Sequence, residues 1–143
     1  MTSKLKKPVL TDRSLDLAFA VKFFIFAGFG LGGALSTVPA IAEVAGALYE
    51  FLWTISIFII GSVTALLTLW NIHTDYFRTR FVKWEWYGTI LMTGLIATYA
   101  LALSTLAVQG FERRFSLSII SFALLVFPVW RIRDLFKRLK GRN

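Results

Sequence analysis

The sequence predicts an all-α fold: a polytopic integral membrane protein with four transmembrane helices in an antiparallel bundle. Three observations predict it. With its 10 glycines counted, roughly 64% of the 143 residues are apolar, against about 45–50% in ordinary soluble domains. Charged residues make up 17%, against about 25% usually. The remaining charge is lopsided, with 16 Lys and Arg against 8 Asp and Glu, a net charge of +8. An apolar chain with basic ends fits a membrane protein and excludes disordered, collagen-like and disulfide-scaffold chains. With no cysteine there is no disulfide, thiolate metal site or cysteine nucleophile. One histidine cannot build a multi-His metal site in a single copy. No cofactor or metal is implied.

The elements follow in order. Residues 1–14 form a basic leader with Lys4, Lys6, Lys7 and Arg13. The first span covers about 17–38 and is interrupted only by Lys22. The second, about 51–70, and the third, about 86–108, contain no charge. At about 1.5 Å per residue both cross a hydrocarbon core of about 30 Å. The fourth, about 115–130, reaches only about 24 Å by the same rise. It spans if Trp130 and the arginines after it sit at the interface, or if the bilayer thins locally. Residues 131–143 form a basic tail. The chain reads as a single membrane domain, with loops short enough for neighbouring helices to pack antiparallel.

Charge in the connections sets the orientation. Thirteen Lys and Arg fall on the side shared by the two termini and the middle connection, where Arg78, Arg80 and Lys83 lie. Two, Arg113 and Arg114, fall on the other side. The positive-inside rule places both termini in the cytoplasm. Val38-Pro39-Ala40-Ile41-Ala42 also fits a small-x-small cleavage site after an apolar core. Cleavage there would leave three spans in the same orientation.

Small residues mark candidate helix-packing sites. Gly28, Gly32 and Ser36 are four apart and share a helix face. Gly61 and Ala65 form a similar ridge on span two, and Gly94, Thr98 and Ala102 on span three. Such ridges let membrane helices approach closely, either within one copy or between copies. Gly28, Gly30 and Gly33 match the spacing of a dinucleotide-binding loop, but that motif needs a preceding strand.

Lys22 is expected to snorkel to the headgroups, with an ion-pathway role as the alternative. His73, beside Asp75, reads as an interfacial residue near a helix end rather than a metal ligand or pH sensor. The aromatic and basic connection from Tyr76 to Tyr87 reads as an interfacial belt, not a nucleic-acid surface. In the tail, Ile132, Leu135, Phe136 and Leu139 recur at helical spacing among Arg131, Arg133, Lys137, Arg138 and Lys140. This pattern is a basic amphipathic helix, suited to anionic lipids at the cytoplasmic face, to a partner, or simply to anchoring the topology. Glu43 and Glu50 are seven apart and could share a face of a short outer helix. Their connection has no room for a two-carboxylate sugar cleft, and no nucleophile-elbow motif is present. The sequence points to no enzyme.

Trp70 ends span two, Trp84-Glu85-Trp86-Tyr87-Gly88 opens span three, Tyr99 lies within it, and Trp130-Arg131 closes span four. With its short acidic outer loop, the chain resembles small four-span membrane proteins of bacteriophages, especially those of actinobacteria, described as holin-like. The resemblance implies self-association in the inner membrane and timed permeabilisation; smaller holins have two spans. Three functions follow as expectations. The first is a holin-like pore former acting through its helix ridges. The second is a non-enzymatic accessory protein (an assembly factor, complex subunit or superinfection-exclusion protein) docking through its basic face. The third is a small transporter or channel, which would show polar sites or broken helices near the midplane. The expected partners are the bilayer, anionic lipids, and a second copy or another membrane protein.

Overall fold

The computed structural model describes residues 10–73, 78–109 and 113–140. They form five helices: α1 (Leu10–Leu35), α2 (Pro39–Ala45), α3 (Ala47–His73), α4 (Arg78–Val108) and α5 (Arg113–Lys140). Four contain segments long and apolar enough to cross a membrane, by length and composition: Ser14–Leu35, Ala47–Ile72, Phe81–Val108 and Phe115–Lys140. The described residues form helices and short connections only, and these four helices fit a multi-pass membrane protein.

The helices outrun the charge-free stretches. α4 begins at Arg78, eight residues before Trp86, and α5 runs on through the basic tail to Lys140. Loss of apolar character marks where lipid would end, not where backbone hydrogen bonding ends, and Lys, Arg and Glu are good helix formers. Pro128 lies inside α5. It has no N–H to donate to the Leu124 carbonyl, yet the helix continues.

α1 packs on α3, α4 packs on α5, and the two pairs meet along α3 and α4. Among the described residues, no Cα of α1 lies within 8 Å of a Cα of α5. The core is built from Phe19, Phe23, Trp53, Ile57, Ala65 and Met92. Helical phase selects the buried face. On α4, Val82, Glu85, Thr89, Met92, Ile96, Ala100 and Leu103 are buried at steps of three and four.

Glycine fixes the α1–α3 approach. A Cβ on Gly30 would lie 2.6 Å from the Phe58 backbone nitrogen and 2.7 Å from the Thr54 carbonyl oxygen. A Cβ on Gly61 would lie 3.1 Å from backbone atoms of Ala27 and Phe23. The two backbones therefore rest nearly on each other.

The connection between α1 and α3 holds α2, which starts at Pro39 and ends at Gly46 with φ 88°. Proline at the first turn forfeits no helical bond, and this positive φ favours glycine. Ala40 and Ile41 are buried, and α2 packs on α3 and α4. Glu50, in the first turn of α3, is buried and accepts a hydrogen bond from the Val38 backbone N–H. Glu43 is exposed on α2, so the two glutamates do not share a helix. Glu50→Ala is expected to cost about 1–3 kcal/mol by orphaning that N–H. Glu50→Gln keeps an acceptor and should cost less. Thermal midpoints in detergent, with hydrogen exchange over residues 38–45, check the order; equal losses would contradict it.

Candidate functional site

The fold brings the starts of α1 and α4 to the ends of α3 and α5, and a charged cluster is buried where they meet. Arg131 of α5 is 1% exposed. Its Nη1 donates to Asp16 Oδ1 of α1 at 2.6 Å and to Asp134 Oδ2 at 3.2 Å. Its Nε and Nη2 both donate to Glu85 Oε1 of α4, at 2.9 and 2.5 Å. Glu85 Oε2 accepts from Asn71 Nδ2 of α3 at 2.7 Å. Arg138, two turns along α5, pairs with Asp16 at 3.2 Å and with Asp134 at 2.9 Å. Phe19 packs beneath, its ring centre 4.8 Å from the Arg131 guanidinium carbon.

Each of the four long helices contributes a side chain to this network. A planar guanidinium with five donors can serve several carboxylates at once, which a lysine ammonium cannot do with the same geometry. The cluster joins α1 to α5, whose backbones stay apart. Phe19 and Trp130 add a ring contact across the same gap, with centroids 6.3 Å apart.

Polar groups continue along the α3–α4 seam. Thr68 donates to the Thr64 carbonyl and Thr89 to the Glu85 carbonyl. Among the described residues, Asn71 Oδ1, Thr64 Oγ1 and Trp86 Nε1 are buried without a hydrogen-bond partner. On the other side of α4, Ser104 and Ser118 bond at 2.6 Å and tie α4 to α5.

Beyond the network, toward the far end, the separation of α1 and α5 leaves an apolar cleft of about 210 Å³. α3 and α4 supply its floor. Phe29, Trp53 and Tyr99 form an aromatic trio there, with centroids 5.7–6.2 Å apart. Trp53 is held by a 3.0 Å hydrogen bond from Nε1 to the Leu95 carbonyl. Lys22 lies one helical turn before the cleft residues Ile25 and Phe26. Its ammonium lies 3.0 Å from the centre of the Phe127 ring on α5, reaching across the gap.

The residues singled out from sequence fall into two groups. Gly61 and Ala65 are buried in the packing of α3. Gly28, Gly32 and Gly94 face open space, with nothing within 4 Å of a built Cβ. Ser36 is exposed and donates to the Gly32 carbonyl, and Thr98 donates to the Gly94 carbonyl. Within one copy, close approach on α1 comes instead from Gly30 and Gly33.

The basic tail is corrected more sharply. The sequence pattern suits Arg131, Arg133, Lys137, Arg138 and Lys140 to lipid, to a partner or simply to anchoring the topology. Arg131 is buried and Arg138 is engaged with Asp16 and Asp134, leaving Arg133, Lys137 and Lys140 exposed. Lys22 is joined by other ionisable residues inside the candidate spans. Asp16, Glu85 and Arg131 all lie within the candidate spans, because each helix continues past its charge-free run. Asp75 and residues 76–77 lie outside the described residues, as do residues 1–9 and the side chains of His73, Arg78, Arg80, Arg113 and Arg114.

Among the described residues, no group of three or more His, Cys, Asp and Glu is placed to hold a metal ion. Comparison of the sequence with known protein families, curated proteins and solved structures gives no match.

Proposed function

We propose that this is a four-span integral membrane protein whose helices alternate in direction across a bacterial inner membrane, with the ion network at the cytoplasmic end. It works by helix association in the plane of the bilayer, not by catalysis. The thirteen-to-two distribution of Lys and Arg supports the orientation. The functional reading is a holin-like one: copies self-associate and permeabilise the membrane.

The supporting observation is the division of labour among the α1 glycines. Gly30 and Gly33 face the protein's own helices, while Gly28 and Gly32 face outward with open space above them. An outward small-residue face lets a second helix approach closely, and membrane helices associate through such packing.

This placement makes a clean test. A Cβ at Gly28 or Gly32 meets nothing within 4 Å, so leucines there are directed away from the internal packing. With inducible expression in a bacterium and a voltage-sensitive dye, the parent should depolarise the membrane abruptly after a delay. The Gly28→Leu, Gly32→Leu variant should not, at matched membrane levels. An undisturbed potential at high parent expression removes the pore-forming reading.

A second reading, a non-enzymatic accessory subunit, is favoured by exposed Arg133, Lys137 and Lys140 at the end of α5. Charge reversal there that abolishes partner capture while membrane integrity is unchanged would select it.

A further inference from the structure

We propose that the cleft between α1 and α5 is a lipid site, taking a segment of one acyl chain of an anionic phospholipid whose headgroup phosphate pairs with Lys22. The proposal rests on the four-span reading but not on pore formation.

Shape comes first. The cleft holds about 210 Å³, more than the roughly 150 Å³ apolar cavity that accepts a benzene ring. Its walls are Phe26 and Phe29 of α1, Trp53 of α3, Tyr99 of α4 and Leu124 of α5. Ser121 is the hydroxyl-bearing wall residue on α5, and its hydroxyl is committed to the Leu117 carbonyl at 2.8 Å. A water there would lack the two to four polar partners it needs. A hydrocarbon chain needs none.

The way in is lateral. α1 and α5 stay apart in their backbones and are bridged at one end by the ion network. The cleft therefore opens between two helices whose outer faces are apolar, with Ile25, Phe29 and Leu124 all exposed. A lipid chain enters from the side without crossing a polar surface.

Charge selects the headgroup. Lys22 forms no ion pair with a described carboxylate; its ammonium contacts the rings of Phe127 and Phe19. Asp16, Glu85 and Asp134 are all directed onto guanidinium groups. Lys22 is thus a charge with no carboxylate partner among the described residues, one turn from Ile25 and Phe26 of the cleft wall. Its Cα lies eight residues, about 12 Å, into the first candidate span. Helical side chains tilt toward the helix N-terminus, so the ammonium sits closer to the headgroups than its Cα. A phosphate drawn down to Lys22 sends a chain past Phe26 toward the aromatic trio.

The test uses Trp53, which lines the cleft yet is only 3% exposed. The full chain is reconstituted in phosphatidylcholine bilayers. Either phosphatidylglycerol or phosphatidylcholine with brominated chains is then titrated in, with bromine at mid-chain or near the headgroup end. Trp53→Phe, which keeps most of the ring volume, supplies the blank that isolates Trp53 emission. Half-quenching of Trp53 should need about fivefold less brominated phosphatidylglycerol than phosphatidylcholine. Lys22→Gln should abolish the difference and Lys22→Arg should retain it.

Equal quenching by both lipids in the parent would overturn headgroup recognition. If Trp53 is unquenched while exposed Trp70, Trp84 and Trp130 are quenched, another helix or a second copy fills the cleft, and the lipid site is wrong. If no tryptophan is quenched, the membrane reading itself fails, and the site with it.

Discussion

Arg131→Leu should destabilise the protein by about 3–5 kcal/mol, the range found when one partner of a buried ion pair is removed. Arg131 is 1% exposed and Glu85 is fully buried. Without the guanidinium, Glu85 keeps, among the described residues, the Asn71 amide. Asp16 keeps Arg138, at 3.2 Å. A buried carboxylate stripped of its cation costs several kcal/mol or takes up a proton. Arg131→Lys should fall between, because an ammonium cannot present the same planar fork to Asp16 and Glu85 together. The discriminating variant is Asp16→Asn, Glu85→Gln, Arg131→Met. Removing all three charges avoids the uncompensated burial, so it should recover most of the loss. Fraction folded during dodecyl sulfate titration in mixed micelles reads these differences. A loss below about 1 kcal/mol in Arg131→Leu would match an exposed pair and would mean that the network is open to water.

The location of this network explains what was legible in the sequence. The two middle helices could be read directly, because absence of charge over about 20 residues is a strong signal; the first run is broken by Lys22 and the fourth is shorter. The ion network could not, because Asp16, Glu85 and Arg131 sit at the margins of those runs, where interfacial charge is expected anyway. Helical phase held the missing signal. Extending the buried α1 face of Phe23 and Phe19 back three residues reaches Asp16. Extending the α4 face of Met92 and Thr89 back four reaches Glu85. Leu135, buried on α5, lies four residues beyond Arg131. In a membrane helix this face is no more apolar than the lipid side. Buried Thr54, Thr64, Thr68 and Thr89 face inward while Phe24, Ile25, Leu66 and Leu91 face out. The usual contrast between an apolar inside and a polar outside is therefore lost, and hydrophobicity alone does not say which way a residue points. The cleft was hidden for another reason: it arises from the distance between α1 and α5, which no local pattern encodes.

The outward and inward glycines of α1 should respond to alanine with opposite signs. In an exposed helix interior, Gly→Ala is worth up to about 1 kcal/mol in favour of alanine. At Gly28 and Gly32 nothing lies within 4 Å of the new Cβ, so that gain stands, and monomer stability should be unchanged or slightly raised. At Gly30 the new Cβ meets the Phe58 nitrogen at 2.6 Å and the Thr54 carbonyl oxygen at 2.7 Å. Both are backbone atoms of α3 and cannot rotate away, so α1 must lift from its seat on Trp53 and Ile57. Overpacking of this kind costs about 1–3 kcal/mol, which exceeds the helical gain. Gly61→Ala, with backbone contacts at 3.1 Å, should fall between. Gly33→Ala meets the methyl ends of Thr54 and Val38 at 2.7 Å. Both are buried, β-branched side chains with a stiff χ1, so its loss should approach that at Gly30. Unfolding at protein dilutions where copies are separated measures the monomer term alone. Repeating it at high protein-to-detergent ratio adds any association term, which Gly28→Ala and Gly32→Ala should weaken while leaving the dilute result intact. If Gly30→Ala were neutral in dilution, α1 would not be seated on α3 as described. If Gly28→Ala were neutral at both ratios, its outward face would serve lipid rather than a second copy.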